Sequence, residues 1–412
     1  MEYLQQQLDN GLTILCERNP RAHASAFGFF VRTGARDESP EIGGVSHFLE
    51  HMVFKGTPSR SAEQVNLELD EMGSASNART SEESTIYHAA VLPRFQTDVV
   101  GLLSDLMRPS LRDEDFEMEK QVIIEEIKMY ADQPPFGGHE RIMAEFFGDH
   151  PLGQSVLGTV DTVGDLTPQQ MKEYFARRYS PSNIALCAAG NVDFDRLIED
   201  TNKFCGDWER IDSDRNPETA NYQSGFHTLH KPSSHQQYVL QLAPGVPNDH
   251  PSRFALRVAI SILGDDSGSR FYWKFLDSGL AESAGAGTYE YHHNGLVMSY
   301  LCCAPEQAQS NLAILHELQT EFFEKGVTRK ELDLAKRKIA SHIVLGSERT
   351  ENRMFSVGSQ WLTGQSFKTV AEIADLYESL TLEQVNGALR AHPLMTNTTL
   401  AVGPNDGLKP IA

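Results

Sequence analysis

The chain repeats itself at a spacing of 214 residues. Leu166-Thr167-Pro168-Gln169-Gln170 returns as Leu380-Thr381-Leu382-Glu383-Gln384, and 380 − 166 = 214. Asn183 to Leu186 returns as Asn397 to Leu400, again 397 − 183 = 214. A strand broken at Gly34 has a counterpart broken at Gly245, where 245 − 34 = 211. Shared offsets in a chain of 412 residues predict two homologous halves, and that length exceeds what one core ordinarily serves. The expected division is an N-terminal domain over 1–211, a linker over 212–234 and a C-terminal domain over 235–412. The linker rests on a polar stretch that mixes Asn, Asp, Pro, Ser and Gly without periodicity.

Strand and helix signals alternate along the first half. Residues 2–18 read as a hairpin turning at Asp9-Asn10-Gly11. A third strand covers 26–31, and a helix runs from Gly43 towards Gly56. A second helix spans 62–72, and the polar Ser76 to Thr80 leads into an apolar strand over 85–91. The helical pattern of 113–130 stops before Pro134-Pro135, and a further helix (166–179) precedes a buried-type strand (183–190). In the second half an alternating strand covers 238–242.

The helix entered through Gly43-Gly44 carries His47-x-x-Glu50-His51. Two histidines at i and i+4 lie one above the other on a helix face and can reach one metal ion. Glu50 sits beside them, where a carboxylate can take a proton from a metal-bound water; this is the inverted order of the H-E-x-x-H zinc-protease motif. With 15 His and 57 Asp+Glu, independent placement yields about 0.08 such matches, so the motif is specific. The second half lacks it: position 47 + 214 is Ser261, in an apolar helix over 256–263.

A zinc site with two histidines needs a third protein ligand. The helix over 116–130 offers Glu117, Glu119, Glu125 and Glu126. Glu119 and Glu126 are two turns apart and share a face, whereas Glu125 and Glu126 diverge by about 100°. Spacing favours the Glu119/Glu126 face and leaves the individual ligand open.

Charge and cysteine usage narrow the remaining classes. The net charge of −21 disfavours nucleic acid and anionic membrane, which need a cationic face. No basic, apolar leader and no apolar run of spanning length are visible. The five cysteines are odd in number and lack C-x-x-C spacing, so a reducing, cytoplasmic setting is expected.

Several segments together resemble the M16 (pitrilysin or inverzincin) metallopeptidases, and within them the two-domain members similar to mitochondrial processing peptidase subunits. The resemblance rests on Gly43 to Thr57, on Asn77-Ala78-x-Thr80 with Tyr87, on Glu119 to Ile127, and on His150 to Gly153 through Leu157-Gly158-Thr159. It implies Glu126 as third zinc ligand, about 75 residues past His51, and Glu119 as a supporting acid. It also implies that Asn77, Ala78 and Thr80 belong to an edge that pairs with the substrate backbone. The family's Arg and Tyr, seven residues apart in the second half, are replaced by Phe275 and Glu282. In two-chain members a companion subunit can supply that pair; the alternative is a homodimer that uses other local residues, Arg270, Tyr289 or Tyr291.

The resulting expectation is an α+β fold of two homologous halves, each a mainly antiparallel sheet with helices packed on one face. The expected activity is zinc-dependent endopeptidase cleavage of extended or unfolded peptides, with one Zn²⁺ per chain. His47, His51 and Glu126 are the expected ligands, Glu50 the general base and Glu119 its catalytic support. The expected partners are a peptide substrate and a second M16-like chain that closes a chamber. The alternative is a non-catalytic assembly subunit with an idle metal site.

Overall fold

The computed structural model describes residues 1–212, 215 and 217–411; positions 213, 214 and 216 of the expected linker lie outside the described residues, as does the last residue of the expected C-terminal domain. The N-terminal half contributes β1 (Glu2–Gln7), β2 (Thr13–Arg18), β3 (Ser25–Val31), α1 (Val45–Val53), α2 (Ala62–Glu71), β4 (Ala75–Thr80) and β5 (Thr85–Val91). It continues through α3 (Gln96–Leu106), α4 (Asp113–Asp132), α5 (Gly138–Phe147), α6 (Val160–Asp165), α7 (Pro168–Arg178), β6 (Ile184–Gly190) and α8 (Phe194–Cys205). The rest contributes β7 (Gly225–His230), β8 (Gln237–Pro244), α9 (Arg253–Gly264), β9 (Ser283–Tyr291) and β10 (Asn294–Cys303). It ends with α10 (Ala308–Lys325), α11 (Arg329–Gly346), α12 (Thr350–Leu362), α13 (Val370–Ser379), α14 (Leu382–Ala391) and β11 (Thr398–Gly403).

The chain forms two compact units that differ from the contiguous segments 1–211 and 235–412. The first comprises Met1–Lys128, Gln154–Asn216 and Gly346–Phe367; the second comprises Met129–Gly153, Pro217–Leu345 and Lys368–Ala412. The stretch expected as a linker also contains β7, which pairs in parallel with β11. Its two large apolar side chains, Phe226 and Leu229, are three residues apart among Gly, His and Thr and so give no hydrophobic alternation, which is why it reads as loop.

In the first unit the sheet order is β1-β2-β6-β3-β5-β4. Its pairs are antiparallel except β2–β6. The second sheet runs β7-β11-β8-β10-β9, again with one parallel pair, β7–β11. Apart from β1 the two orders correspond strand for strand. The repeat extends to capping chemistry: Thr167 begins α7 with Gln170 answering it, and Thr381 begins α14 with Gln384 answering it.

Alternation along β3 shows how the first sheet is covered. Phe27, Phe29 and Val31 join a core built with α1, α2, α3, α4, α7 and α8. Ala26 and Phe30 face the other way, onto Met354 and Val357 of α12. The second face of this sheet is thus covered by a helix from late in the chain. The second unit has the same plan: Ile142, Met143 and Phe146 of α5 pack on Leu240, Leu400 and Val402. By the repeat α5 and α12 are equivalents, since 350 − 138 = 212.

Two helices of the first unit carry the chemistry-bearing residues. On α1, Val45, Phe48, Leu49 and Met52 form the buried i, i+3, i+4, i+7 stripe. Each of the large side chains contributes about 1.5–3 kcal/mol when fully buried. His47, Glu50 and His51 fall on the neighbouring face. On α4, Phe116, Glu119 and Ile123 are buried, and Glu126 continues their line. Phe48 stacks on Phe116 with ring centroids 4.5 Å apart, which holds the two helices in register.

Candidate metal centre

Entry into α1 is tightly specified. Gly44 precedes the helix with φ +93°, and a Cβ there would lie 2.6 Å from the Leu157 carbonyl oxygen. Only glycine accepts both conditions cheaply. The buried Glu38 carboxylate accepts from the N–H groups of Gly44 (2.6 Å) and Ser46 (2.7 Å). These are otherwise orphaned first-turn donors, and a carboxylate also complements the positive end of the helix dipole. Ser46 in turn bonds Tyr174, which bonds Thr33.

From this fixed start the histidines project towards α4. His47, His51 and Glu126 each offer one ligand atom, all within 4.8 Å of one another. Glu126 Oε2 stands 3.8 Å from His47 Nε2 and 3.5 Å from His51 Nε2. Two donors sharing one tetrahedral zinc stand roughly 3.4 Å apart, so the spacing suits such an ion. Glu126 Oε2 is buried without a hydrogen-bond donor; a cation between it and the imidazoles would satisfy it. Two imidazoles and a carboxylate are a donor set zinc accepts.

The surrounding residues tune these donors. His51 Nδ1–H donates to Glu119 Oε1 at 2.9 Å, and Lys55 Nζ lies 2.5 Å from Glu119 Oε2. With the proton held on Nδ1, Nε2 carries the lone pair of the neutral ring. The Glu119 bond, opposed by burial and helped by Glu126, raises the His51 pKa. Burial, with His51 alongside, lowers that of His47 to about 4, so His47 is a neutral donor at pH 7. Burial pushes Glu119 up, but the bonds from His51 and Lys55 outweigh it and its pKa is lowered.

Glu50 is close enough to feel the charges of His51 and Glu126. Burial raises its pKa against the opposing hydrogen bond from Thr80, whose Oγ1 donates to Glu50 Oε2 at 2.6 Å. Thr80 closes β4, the edge strand of the first sheet. Asn77 and Ala78 lie on the same strand, and the Ala78 N–H donates to Asn77 Oδ1 at 2.9 Å.

The two helices α1 and α4 therefore bring together His47, Glu50 and His51 with Glu119 and Glu126, and Thr80 reaches them from β4. Glu125 points away: its side chain is 72% exposed and pairs with Lys128. Sequence reasoning missed Lys55, Glu38 and the Thr80–Glu50 bond. Glu119 and Glu126 had a usable signal, because both interrupt an otherwise apolar stripe.

The second-half positions are different. Phe275 is fully buried, and Glu282 accepts from the Gln236 side chain. Arg270, a conceivable local cation, is tied to Glu331 at 2.8 Å and to the Gly326 carbonyl. Tyr291 is buried and Tyr289 is exposed.

The fold is shared with solved structures. A protease from Helicobacter pylori superimposes with a TM-score of 0.91 at 20% identity, covering 99% of this chain and 100% of that one. A peptidase M16 inactive domain structure from Pseudomonas fluorescens also gives 0.91, at 17% identity and full coverage of both chains. Sequence relatives are nearer. The "uncharacterized zinc protease YmxG" of Bacillus subtilis is 32% identical over 386 residues, 92% of this chain and 93% of its own. The "uncharacterized zinc protease Rv2782c" of Mycobacterium tuberculosis is 31% identical over 393 residues, 93% and 89% of the two chains. Residues 13–160 match the Insulinase (Peptidase family M16) domain, and residues 165–339 match the Peptidase M16 inactive domain. The chain belongs to peptidase family M16.

Proposed function

We propose that this chain is a zinc-dependent endopeptidase acting on extended or unfolded peptides. The observation that carries the reading is the convergence of His47, His51 and Glu126 with Glu50 beside them. His47, His51 and Glu126 would hold one Zn²⁺. When bound, zinc lowers the pKa of its water to near 7 and polarises a carbonyl. Glu50 takes a proton from the attacking water and delivers it to the leaving amine. Glu119, itself held by Lys55, orients His51 through Nδ1. The β4 edge, with Asn77, Ala78 and Thr80, offers backbone groups to a peptide that adds as a further strand. Such recognition reads extended backbone and tolerates varied side chains.

A second M16-like chain completes the site in this reading and closes a chamber around the substrate. Its support is the second half: Phe275 is core, Glu282 is an acid, and Arg270 is committed to Glu331. A cation and a phenol would come from the companion chain. The cysteines, all free and buried, suit a reducing cytoplasmic compartment. Among the described residues no helix is long and apolar enough to cross a membrane.

The test is cleavage of an unfolded peptide by protein stripped with a chelator, then resupplied with one equivalent of zinc. The expected result is loss and recovery of cleavage, with and without a companion chain as separate arms. Cleavage indifferent to the chelator in both arms would refute the reading.

A further inference from the structure

Thr80 has been placed so far on a strand that would receive substrate, yet its side chain is already engaged. Its hydroxyl donates to Glu50 Oε2 at 2.6 Å, linking residues 30 apart in sequence. The position of Thr80 is itself rigid. It pairs with Thr85 at the end of the β4–β5 hairpin. The hairpin turn is closed by Ser81 N–H to the Ser84 carbonyl (2.8 Å). That turn is anchored in addition by Ala35 and Arg36, whose N–H groups donate to Ser81 and Glu82 carbonyls. Thr85 is tied down as well, donating to the Thr33 carbonyl at 2.9 Å.

We propose that Thr80 is a positioning residue for Glu50, holding Oε2 so that Oε1 is the oxygen presented to the proton. A glutamate on a helix has three side-chain torsions, and a half-buried carboxylate without a fixed partner samples several of them. A short bond from a hydroxyl on a rigid strand end selects one orientation, which is the condition for effective proton transfer. The arrangement also joins two tasks. The strand whose outer edge takes the peptide is the strand that sets the base, so one element fixes both reacting partners. The inference deepens the proposed peptidase reading and rests on the role given there to Glu50.

Two variants separate the hydroxyl from the shape of the side chain. Thr80→Val keeps the β-branched form that suits a strand and removes the donor; Thr80→Ser keeps the donor. Charge-assisted hydrogen bonds of this kind correspond to about 10- to 100-fold in rate. We expect Thr80→Val to lower kcat by about that factor, with KM and zinc content little changed, and Thr80→Ser to restore most of it. Crystal structures of the two variants supply a readout independent of activity. Glu50 should swing away from its place in Thr80→Val and keep it in Thr80→Ser. A raised KM at unchanged kcat in Thr80→Val, or Glu50 undisplaced in that variant, would overturn the proposal. If the parent protein with zinc bound cleaves no peptide either alone or with a companion chain, the peptidase reading fails, and the position of Glu50 in the two crystals still decides the role of Thr80.

Discussion

Glu125 and Glu126 are neighbours in sequence with opposite surroundings. Glu126 faces the two histidines, while Glu125 is exposed and paired with Lys128. Glu126→Gln should weaken zinc binding by at least about 100-fold, since even residues behind metal ligands are worth 10–100-fold. Glu125→Gln should leave it nearly unchanged, because exposed ion pairs contribute little. Metal content after dialysis distinguishes them, and the reverse order would contradict the register of α4. The His51–Glu119 bond leads to a pH effect of definite sign. Glu119 raises the His51 pKa, so the metal-free ring keeps its proton to higher pH, and a metal must displace that proton. Zinc affinity should therefore fall as pH drops through the His51 pKa, with proton release on binding near neutrality. Glu119→Gln removes the main cause of the raised pKa, and proton release at pH 7 should shrink. Calorimetry in buffers of different ionisation heat measures it; unchanged release would count against this coupling. The i, i+4 histidines and the Glu119/Glu126 face were legible because a helix converts spacing into direction. Thr80, Lys55 and Glu38 were not, since their bonds depend on how separate elements are placed.

At the scale of elements, the strands with apolar alternation and the capped helices were readable where local pattern and tertiary role agree. β7 was not, because Phe226 and Leu229 lie three residues apart on this edge strand and leave no period-two pattern. Nor was the placement of α5 and α12. An amphipathic stripe says that a helix packs, and it does not record which sheet it covers. Packing of α12 on the first sheet is close: a Cβ at Gly358 would fall 2.2 Å from the Phe30 ring. Replacing a helical glycine by alanine ordinarily stabilises by about 1 kcal/mol. At Gly358 overpacking should win and destabilise by about 1–3 kcal/mol. Gly387 on α14 has nothing within 4 Å of such a Cβ, so Gly387→Ala should stabilise by about 0.5–1 kcal/mol. Denaturant midpoints of the two variants should move in opposite directions. A stabilised Gly358→Ala would mean that α12 does not pack on this sheet as described.

At the scale of the whole molecule, one ancestral plan has been used twice with unequal chemistry. Both units keep the strand order and the Thr–Gln helix caps, and the repeat at 214 residues carries that duplication in the sequence itself. Among the described residues the cluster of His47, His51 and Glu126 lies in the first unit; the helix that corresponds to α1 has Ser261, bonded to Asp265, where the offset places His47. The first unit accordingly holds the proposed chemistry, with Glu50 as its base. Glu50→Gln preserves shape and leaves His47, His51 and Glu126 untouched, and an amide cannot accept the proton. The decisive measurement is zinc content together with the cleavage rate of an unfolded peptide, for parent and Glu50→Gln protein side by side. The prediction is one bound zinc in both, with cleavage lower by at least about 10²-fold in the variant. A zinc-loaded Glu50→Gln protein that cleaves at the parent rate would contradict the account.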